Sequence, residues 1–371
     1  MKEIGIYIHI PYCKRKCYYC DFISFQDKEE TIEKYVECLK KEIDECKYIG
    51  FNIGTIYIGG GTPSAINEKY IADILNKIRE KFIVTQNAEI TIEVNPGTLT
   101  QEKLQEYKRI GINRLSIGLQ STDNEILKEI GRIHTYEEFL NNYNLARNLG
   151  FKNINVDLML ALPGETEDSI AIQVSEIINL EPEHISLYSL IVEDNTKIKQ
   201  MLEESKITLP TDEEERNMYW RAKELLEENG YEHYEISNFS LPGFNSRHNM
   251  DCWNQKEYLG FGVGAHSYFN NKRFSNHKTI EEYIENYNEK EIEEIQDREA
   301  MAKEYMILGL RKIQGVVISE FERKFQINPL FYFRFEISKL VDEELIEIDL
   351  DNIKLTNKGL DLANQVWQEF I

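Results

Sequence analysis

The chain has no apolar run near the ~18 residues that a membrane-crossing helix needs, so no helical membrane span is expected. It has no secretory leader plan either. Its first apolar stretch, Ile4–Ile10, is short and runs straight into Pro11 and a cysteine. Positive charge is scarce: 43 basic side chains face 65 acidic ones, a formal charge of −22. That field has the wrong sign for general nucleic-acid binding. Paired cysteine motifs are missing as well. Three of the six cysteines, Cys13, Cys17 and Cys20, fall within eight residues, while Cys38, Cys46 and Cys252 are scattered. No second pair completes a four-ligand zinc site, and the seven histidines form no zinc-type tandem. Internal repeats of 20–50 residues and low-complexity linkers are absent. What remains is an ordinary globular composition, 42% hydrophobic and 29% charged over 371 residues, enough for one large domain and a smaller one. A cytoplasmic location is expected, where thiols stay reduced. There a tight cysteine cluster points to metal or redox chemistry rather than disulfides.

The order of elements points to an α/β fold. The β-rich run Ile4–Ile10 ends at Pro11, and residues 11–25 read as a loop that holds the cysteines. Five strand-like runs follow, Thr55–Ile58, Ala88–Val94, Ile112–Leu119, Asn153–Leu160 and His184–Ile191, separated by helical patterns. Strands alternating with helices predict a parallel sheet. Six units are fewer than the eight of a closed barrel, and in either arrangement ligands bind at the carboxyl ends of the strands. Cys38 and Cys46 lie in a helical pattern over Glu29–Tyr48 and read as packing residues. Beyond Ile191 come a charged helix (Thr211–Glu228), a strand-like run (Tyr231–Phe239) and a Gly- and aromatic-rich stretch (Pro242–Phe269). From about Glu299 three helices, a hairpin near Asp351-Asn352 and a last helix resemble a winged-helix module. Over residues 298–371 ten basic side chains stand against thirteen acidic ones, which argues against DNA binding. The expected domains are residues 1–240, a linking segment 241–298, and residues 299–371.

Cys13-x-x-x-Cys17-x-x-Cys20 carries the strongest chemical signal. Three thiolates from one loop can wrap one metal centre. A [4Fe–4S] cluster normally takes four cysteines, so three leave one iron with an open position. An iron–sulfur cluster is the reading these residues favour, with zinc or unbound thiols as the competitors.

The CxxxCxxC spacing after a first strand resembles the radical S-adenosylmethionine superfamily. There the open iron is chelated by S-adenosylmethionine, whose cleavage by the reduced cluster gives a 5′-deoxyadenosyl radical. The stretches Ile6–Cys13 (IYIHIPYC), Tyr57–Ser64 (YIGGGTPS), Ile92–Gly97 (IEVNPG), Arg114–Ser121 (RLSIGLQS) and Asn155–Thr166 are similar to the oxygen-independent coproporphyrinogen III oxidase group. His248–Trp253 (HNMDCW), Gly260–Ser267 (GFGVGAHS) and Glu304–Val316 extend the likeness over nearly the whole chain. Within the group, true oxidases carry a fourth cysteine where this chain has Phe22. The Cys20-Asp21-Phe22 sequence and the HNxxYW-like motif resemble the HemW branch instead. Cys252 departs from that motif, standing where tyrosine is expected.

The resemblance implies a partial (β/α)6 barrel with a smaller winged-helix-like domain, a [4Fe–4S] cluster on Cys13, Cys17 and Cys20, and S-adenosylmethionine beside it. Its site would comprise Tyr7, Tyr19 (against the adenine), Gly60, Gly61 and Thr62 (close backbone approach), Glu93 (to the ammonium), Gln120, Arg132 (a fork on the carboxylate) and Asp157 (to a ribose hydroxyl). Plain structural readings stand beside these: a tight βα turn for the glycines, and an internally bonded carboxylate for Asp157. His248 is the candidate heme ligand, with Asn249 to orient it and Trp253 to stack on the porphyrin; its plain alternative is a hydrogen-bonded residue in a Gly-rich loop. His9 is expected to pack beneath the cluster. Lys14, Arg15 and Lys16 read equally as thiolate-stabilising or as a solvated loop. The implied function is a heme chaperone passing heme to an apo-hemoprotein, with an electron donor as a further partner. The alternative is radical decarboxylation of coproporphyrinogen III propionates.

Overall fold

The computed structural model describes residues 1–26 and 28–371. Six parallel strands form the centre: β1 (Glu3–Ile10), β2 (Asn52–Gly60), β3 (Ile83–Val94), β4 (Arg114–Gln120), β5 (Ile154–Leu160) and β6 (His184–Ser189). Each pairs in parallel with the next in sequence. Helices Ile32–Glu45, Glu68–Lys81, Gln101–Arg109, Tyr136–Asn148 and Glu167–Ile178 connect them. Two of these begin with reciprocal caps, Thr135 with Glu138 and Thr166 with Ser169, which satisfy otherwise orphaned amides.

The strand period of two explains why the sheet has a helix-facing side and a hollow one. In β1, Ile4, Ile6, Ile8 and Ile10 are all buried in the main core, while Tyr7 and His9 line a cavity on the other face. The same alternation puts Tyr57, Glu93, Gln120, Asp157 and Tyr188 on the hollow side.

The run expected as one strand at Tyr231–Phe239 is instead a tight hairpin, β7 (Glu232–Glu235) and β8 (Asn238–Ser240). The Glu235 carboxylate braces the turn, accepting from the Ser237 amide at 3.0 Å and from the Asn238 side chain. Residues 241–298 add β9 (Tyr258–Phe261), β10 (His266–Phe269), β11 (Lys272–Ser275) and β12 (Glu291–Ile295). Strand β9 pairs in parallel with β1. The full order is β12-β11-β10-β9-β1-β2-β3-β4-β5-β6-β8-β7, an open twelve-stranded sheet curved around a partial barrel.

Glu42 fastens this added edge to the first helix. Its buried carboxylate accepts from the Gly262 amide (2.9 Å), Asn276 (2.8 Å) and Tyr283 (2.6 Å), and pairs with Lys290. A separate core around Phe321, Phe325, Phe333 and Phe370 holds the C-terminal domain. It contains helices Arg298–Gly309, Ile318–Phe325 and Arg334–Asp342, and a small sheet of β13 (Val316–Val317), β14 (Ile346–Asp349) and β15 (Asn352–Leu355). This is the helical, winged arrangement expected. Among the described residues no helix is long and apolar enough to cross a membrane.

Candidate functional site

The cysteine loop is fixed at its base by backbone hydrogen bonds. Cys13 N donates to Phe25 O (2.9 Å) and Phe25 N to Pro11 O (2.7 Å), while Thr62 N reaches Tyr12 O (2.8 Å). Gly61 allows this approach: a Cβ there would sit 2.9 Å from backbone atoms of Pro11 and Tyr12 and 3.1 Å from Cys13 Sγ. Gly60 has φ +113°, a conformation that L side chains rarely adopt.

Cys13, Cys17 and Cys20 rim one cavity of about 410 Å³ at the carboxyl ends of the strands. Tyr19, Gly60, Gly61, Thr62, Glu93, Gln120, Arg132 and Asp157 line the same space, so eight of the nine expected S-adenosylmethionine positions converge with the cysteines. Tyr7, the ninth, does not. It faces a neighbouring cavity and bonds His9 Nδ1 at 3.0 Å. Among the described residues no three His, Cys, Asp or Glu donors converge on one point as a single ion requires. Three thiols spread around one cavity suit a multi-iron cluster, in which each thiolate takes a different iron. Burial raises the Cys13 and Cys20 thiols, with Lys16 pulling the other way more weakly.

Arg132 is oriented by its neighbours. One Nη donates to Cys17 Sγ at 3.4 Å, and the other to Asn95 Oδ1 at 2.6 Å and to Gly118 O. Burial opposes its charge, but Tyr19 and Cys17 outweigh that and keep it protonated. The expected free fork is therefore already engaged. Glu93 accepts from Tyr57 OH (2.9 Å) and Gly60 N (3.1 Å), and burial pushes its carboxyl up to about 7. Asp157 is raised by burial too, and accepts from Asn155 at 2.7 Å. Gln120 holds φ +79° beside a register shift in β4 and accepts from Tyr188 OH at 2.8 Å. Such strain in a non-glycine residue concentrates at functional sites.

A second cavity, about 510 Å³, adjoins the first and shares Phe22, Gly60 and Glu93 with it. Tyr7, His9, His248, Cys252, Tyr258 and His266 also line it. His248 lies in a helix, Arg247–Trp253, and not in the Gly-rich loop its neighbours indicated. Ser246 caps that helix, and Glu89 accepts from the Arg247 and His248 amides at 3.1 Å each. Thr55 Oγ1, at 2.8 Å from His248 Nδ1, orients the imidazole, a role expected of Asn249. Asn249 instead lines the first cavity. Tyr57 packs on the His248 ring at 5.3 Å. Burial lowers His248 to about 4, so it is neutral at pH 7 and able to ligate iron. Trp253 lines neither cavity, and Arg311 from the C-terminal domain lies over its ring at 4.4 Å. His9 has both nitrogens engaged, by Tyr7 and by Ile23 O at 2.7 Å. Burial pushes Cys252 up to about 12, which keeps it a neutral thiol.

Sequence reasoning missed Asn95, which binds both Thr62 (2.8 Å) and Arg132, although it stands two residues from Glu93 in the quoted IEVNPG stretch. It also passed over Arg114 and Tyr188, which line the first cavity. Only their inward-facing strand positions could have flagged them.

The model of the radical SAM superfamily matches residues 7–172, and that of the HemN C-terminal domain matches residues 296–362. The chain is 36% identical to the heme chaperone HemW of Lactococcus lactis, covering 100% of this chain and 98% of that one. It is 34% identical to the HemW of Bacillus subtilis, covering 98% of each. The crystallised coproporphyrinogen III oxidase HemN of Escherichia coli shares the fold, with a TM-score of 0.86 at 23% identity over 100% of this chain and 90% of that one.

Proposed function

From the chain's membership of the HemW family, within the radical SAM superfamily, we propose that it is a heme chaperone. It binds a [4Fe–4S] cluster through Cys13, Cys17 and Cys20, takes S-adenosylmethionine beside it, and delivers heme to an apo-hemoprotein. An electron donor and the acceptor are its expected partners, and the cytoplasm its place of work. Residues 1–240 form its core in this reading, with 299–371 as the appended domain.

The observation that carries this reading is the pair of adjoining cavities: one ringed by the three thiols, the other holding a neutral, oriented imidazole with Phe22 on the wall between them. When bound, the cluster supplies the electron that cleaves the sulfonium of S-adenosylmethionine. The chain's own residues bind and orient. In this reading Glu93 takes the ammonium group, Asp157 a hydroxyl and Tyr19 an aromatic face, and all three line the first cavity. His248 offers Nε2 to heme iron, since Nδ1 is held by Thr55. Phe22 is 66% exposed at the mouth of both cavities, which suits contact with an apolar macrocycle.

The test is an anaerobic heme titration of cluster-reconstituted protein, followed by absorption, beside His248→Ala. Saturable binding of about one heme per chain, lost in the variant, is expected. Absence of saturable binding in the wild type refutes the chaperone reading. Undiminished binding in the variant removes His248 from it.

A further inference from the structure

Arg114 is the first residue of β4, and its side chain faces the first cavity. It is 2% exposed, yet Nε is sealed from water with no hydrogen-bond partner. Two other partly buried arginines of this chain are answered by carboxylates, Arg147 by Glu183 at 2.8 Å and Arg273 by Glu304 at 2.5 Å, and Arg311 stacks on Trp253 and Trp367. Arg114 makes no such direct ion pair among the described residues; the Glu93 and Asp157 carboxylates of the same cavity feel its charge only from farther off. The polar groups around it are committed to one another. Asn155 Nδ2 donates to Ser116 Oγ (2.8 Å) and to Asp157 Oδ1 (2.7 Å), and Ser186 Oγ to Asn238 Oδ1 (2.7 Å). Arg132, the other buried guanidinium of the cavity, already has Cys17, Asn95 and Gly118, and the exposed Arg15 at its rim donates to Tyr18 OH at 2.7 Å.

A buried cation with no direct partner is costly, and globular proteins rarely keep one. Here it faces a space large enough for a ligand. A guanidinium offers two parallel N–H donors, a geometry that fits a carboxylate. We propose that Arg114 receives a carboxylate of the molecule bound inside the barrel. The lack of a direct partner stands on the structure alone, but the choice of ligand rests on the proposed function. Two molecules of that function carry the group: S-adenosylmethionine at its methionyl end, and heme at its propionates.

The experiment compares affinities within two pairs on the cluster-loaded protein, kept anaerobic. One pair is S-adenosylmethionine and its decarboxylated analogue. The other is heme and heme dimethyl ester, whose carboxylates are blocked. The wild type is expected to favour the free carboxylate at least tenfold in one pair, which identifies the source. Arg114→Met is expected to abolish that preference, and Arg114→Lys to leave part of it. In the ligand-free protein, Arg114→Met is expected to keep or raise the thermal midpoint, because it removes a charge with no partner. Retention of the full preference by both variants overturns the proposal, as does a wild type with no preference in either pair. A lowered midpoint in ligand-free Arg114→Met also overturns it, since the guanidinium would then be answered within the protein. If heme and its ester fail to bind any form, the proposed cargo is refuted, while the S-adenosylmethionine pair still decides the role of Arg114.

Discussion

Glu93 gives a prediction whose size and sign follow from its surroundings. The carboxyl sits in the wall between the two cavities, with Tyr57 and Gly60 as its donors. Burial lifts it from 4.5 to about 7. Below pH 4.5 the group is protonated whether the chain is folded or not, and it contributes nothing to pH dependence. Between pH 4.5 and 7 the unfolded chain loses the proton while the folded one keeps it, so stability falls as pH rises. Above 7 the carboxylate is ionised in both states and its full cost is present. At 1.36 kcal/mol per pH unit the ceiling is about 3 kcal/mol, and about 1–2 kcal/mol is expected because the group faces open cavities that water can enter. Glu93→Gln removes the titration. The amide also loses one of two accepted hydrogen bonds, but that penalty does not vary with pH. The measurement is urea unfolding of ligand-free wild type and variant at pH 5 and pH 8. The variant should gain about 1–2 kcal/mol on the wild type between these values. A difference that stays flat from pH 5 to 8 would show that Glu93 titrates normally, and the burial argument would fall. The same reasoning predicts proton release when an ammonium-bearing ligand binds near pH 6.5, readable by calorimetry in buffers of different ionisation enthalpy.

Gly61→Ala places a methyl against the backbone of Pro11 and Tyr12 and against Cys13 Sγ, none of which yields easily. Iron bound per chain after reconstitution should drop at least twofold, at a stability cost of about 1–3 kcal/mol, and unchanged iron would refute the close-approach argument. Gly5→Ala presses on Thr55 Oγ1 (2.9 Å) and the His248 ring (3.2 Å). Heme affinity should fall severalfold with iron content unaltered, and an equal loss of both would point to general misfolding instead. Glu42→Ala strips the acceptor from Gly262, Asn276, Tyr283 and Lys290. A loss of about 3–5 kcal/mol in the urea transition is expected. A loss under 1 kcal/mol would mean that the added sheet edge is held mainly by apolar packing.

The sequence by itself determined the parts governed by local chemistry. Isoleucines at alternate positions of Ile4–Ile10 specify a strand with one greasy face, and the regular return of such runs specifies a parallel sheet. The spacing of Cys13, Cys17 and Cys20 places three thiols on one loop, whatever the rest of the chain does. The glycines after β2 mark a close backbone approach, and the Cβ distances at Gly61 show what approaches. Tertiary structure decided matters that depend on residues far apart in sequence. His248 is neutral because packing buries it, and which nitrogen it keeps free follows from Thr55, 193 positions away. Trp253 lines neither cavity, and the C-terminal domain brings Arg311 over its ring. Tyr7 sits beside the cysteine loop in sequence, yet the strand's alternation and the position of β9 turn it into the second cavity. Arg114 reads from sequence as one more strand residue, and only the folded barrel shows its charge to be buried without a direct partner. Periodicity fixes which face a side chain takes. What it meets there is set by packing between segments that local sequence does not encode.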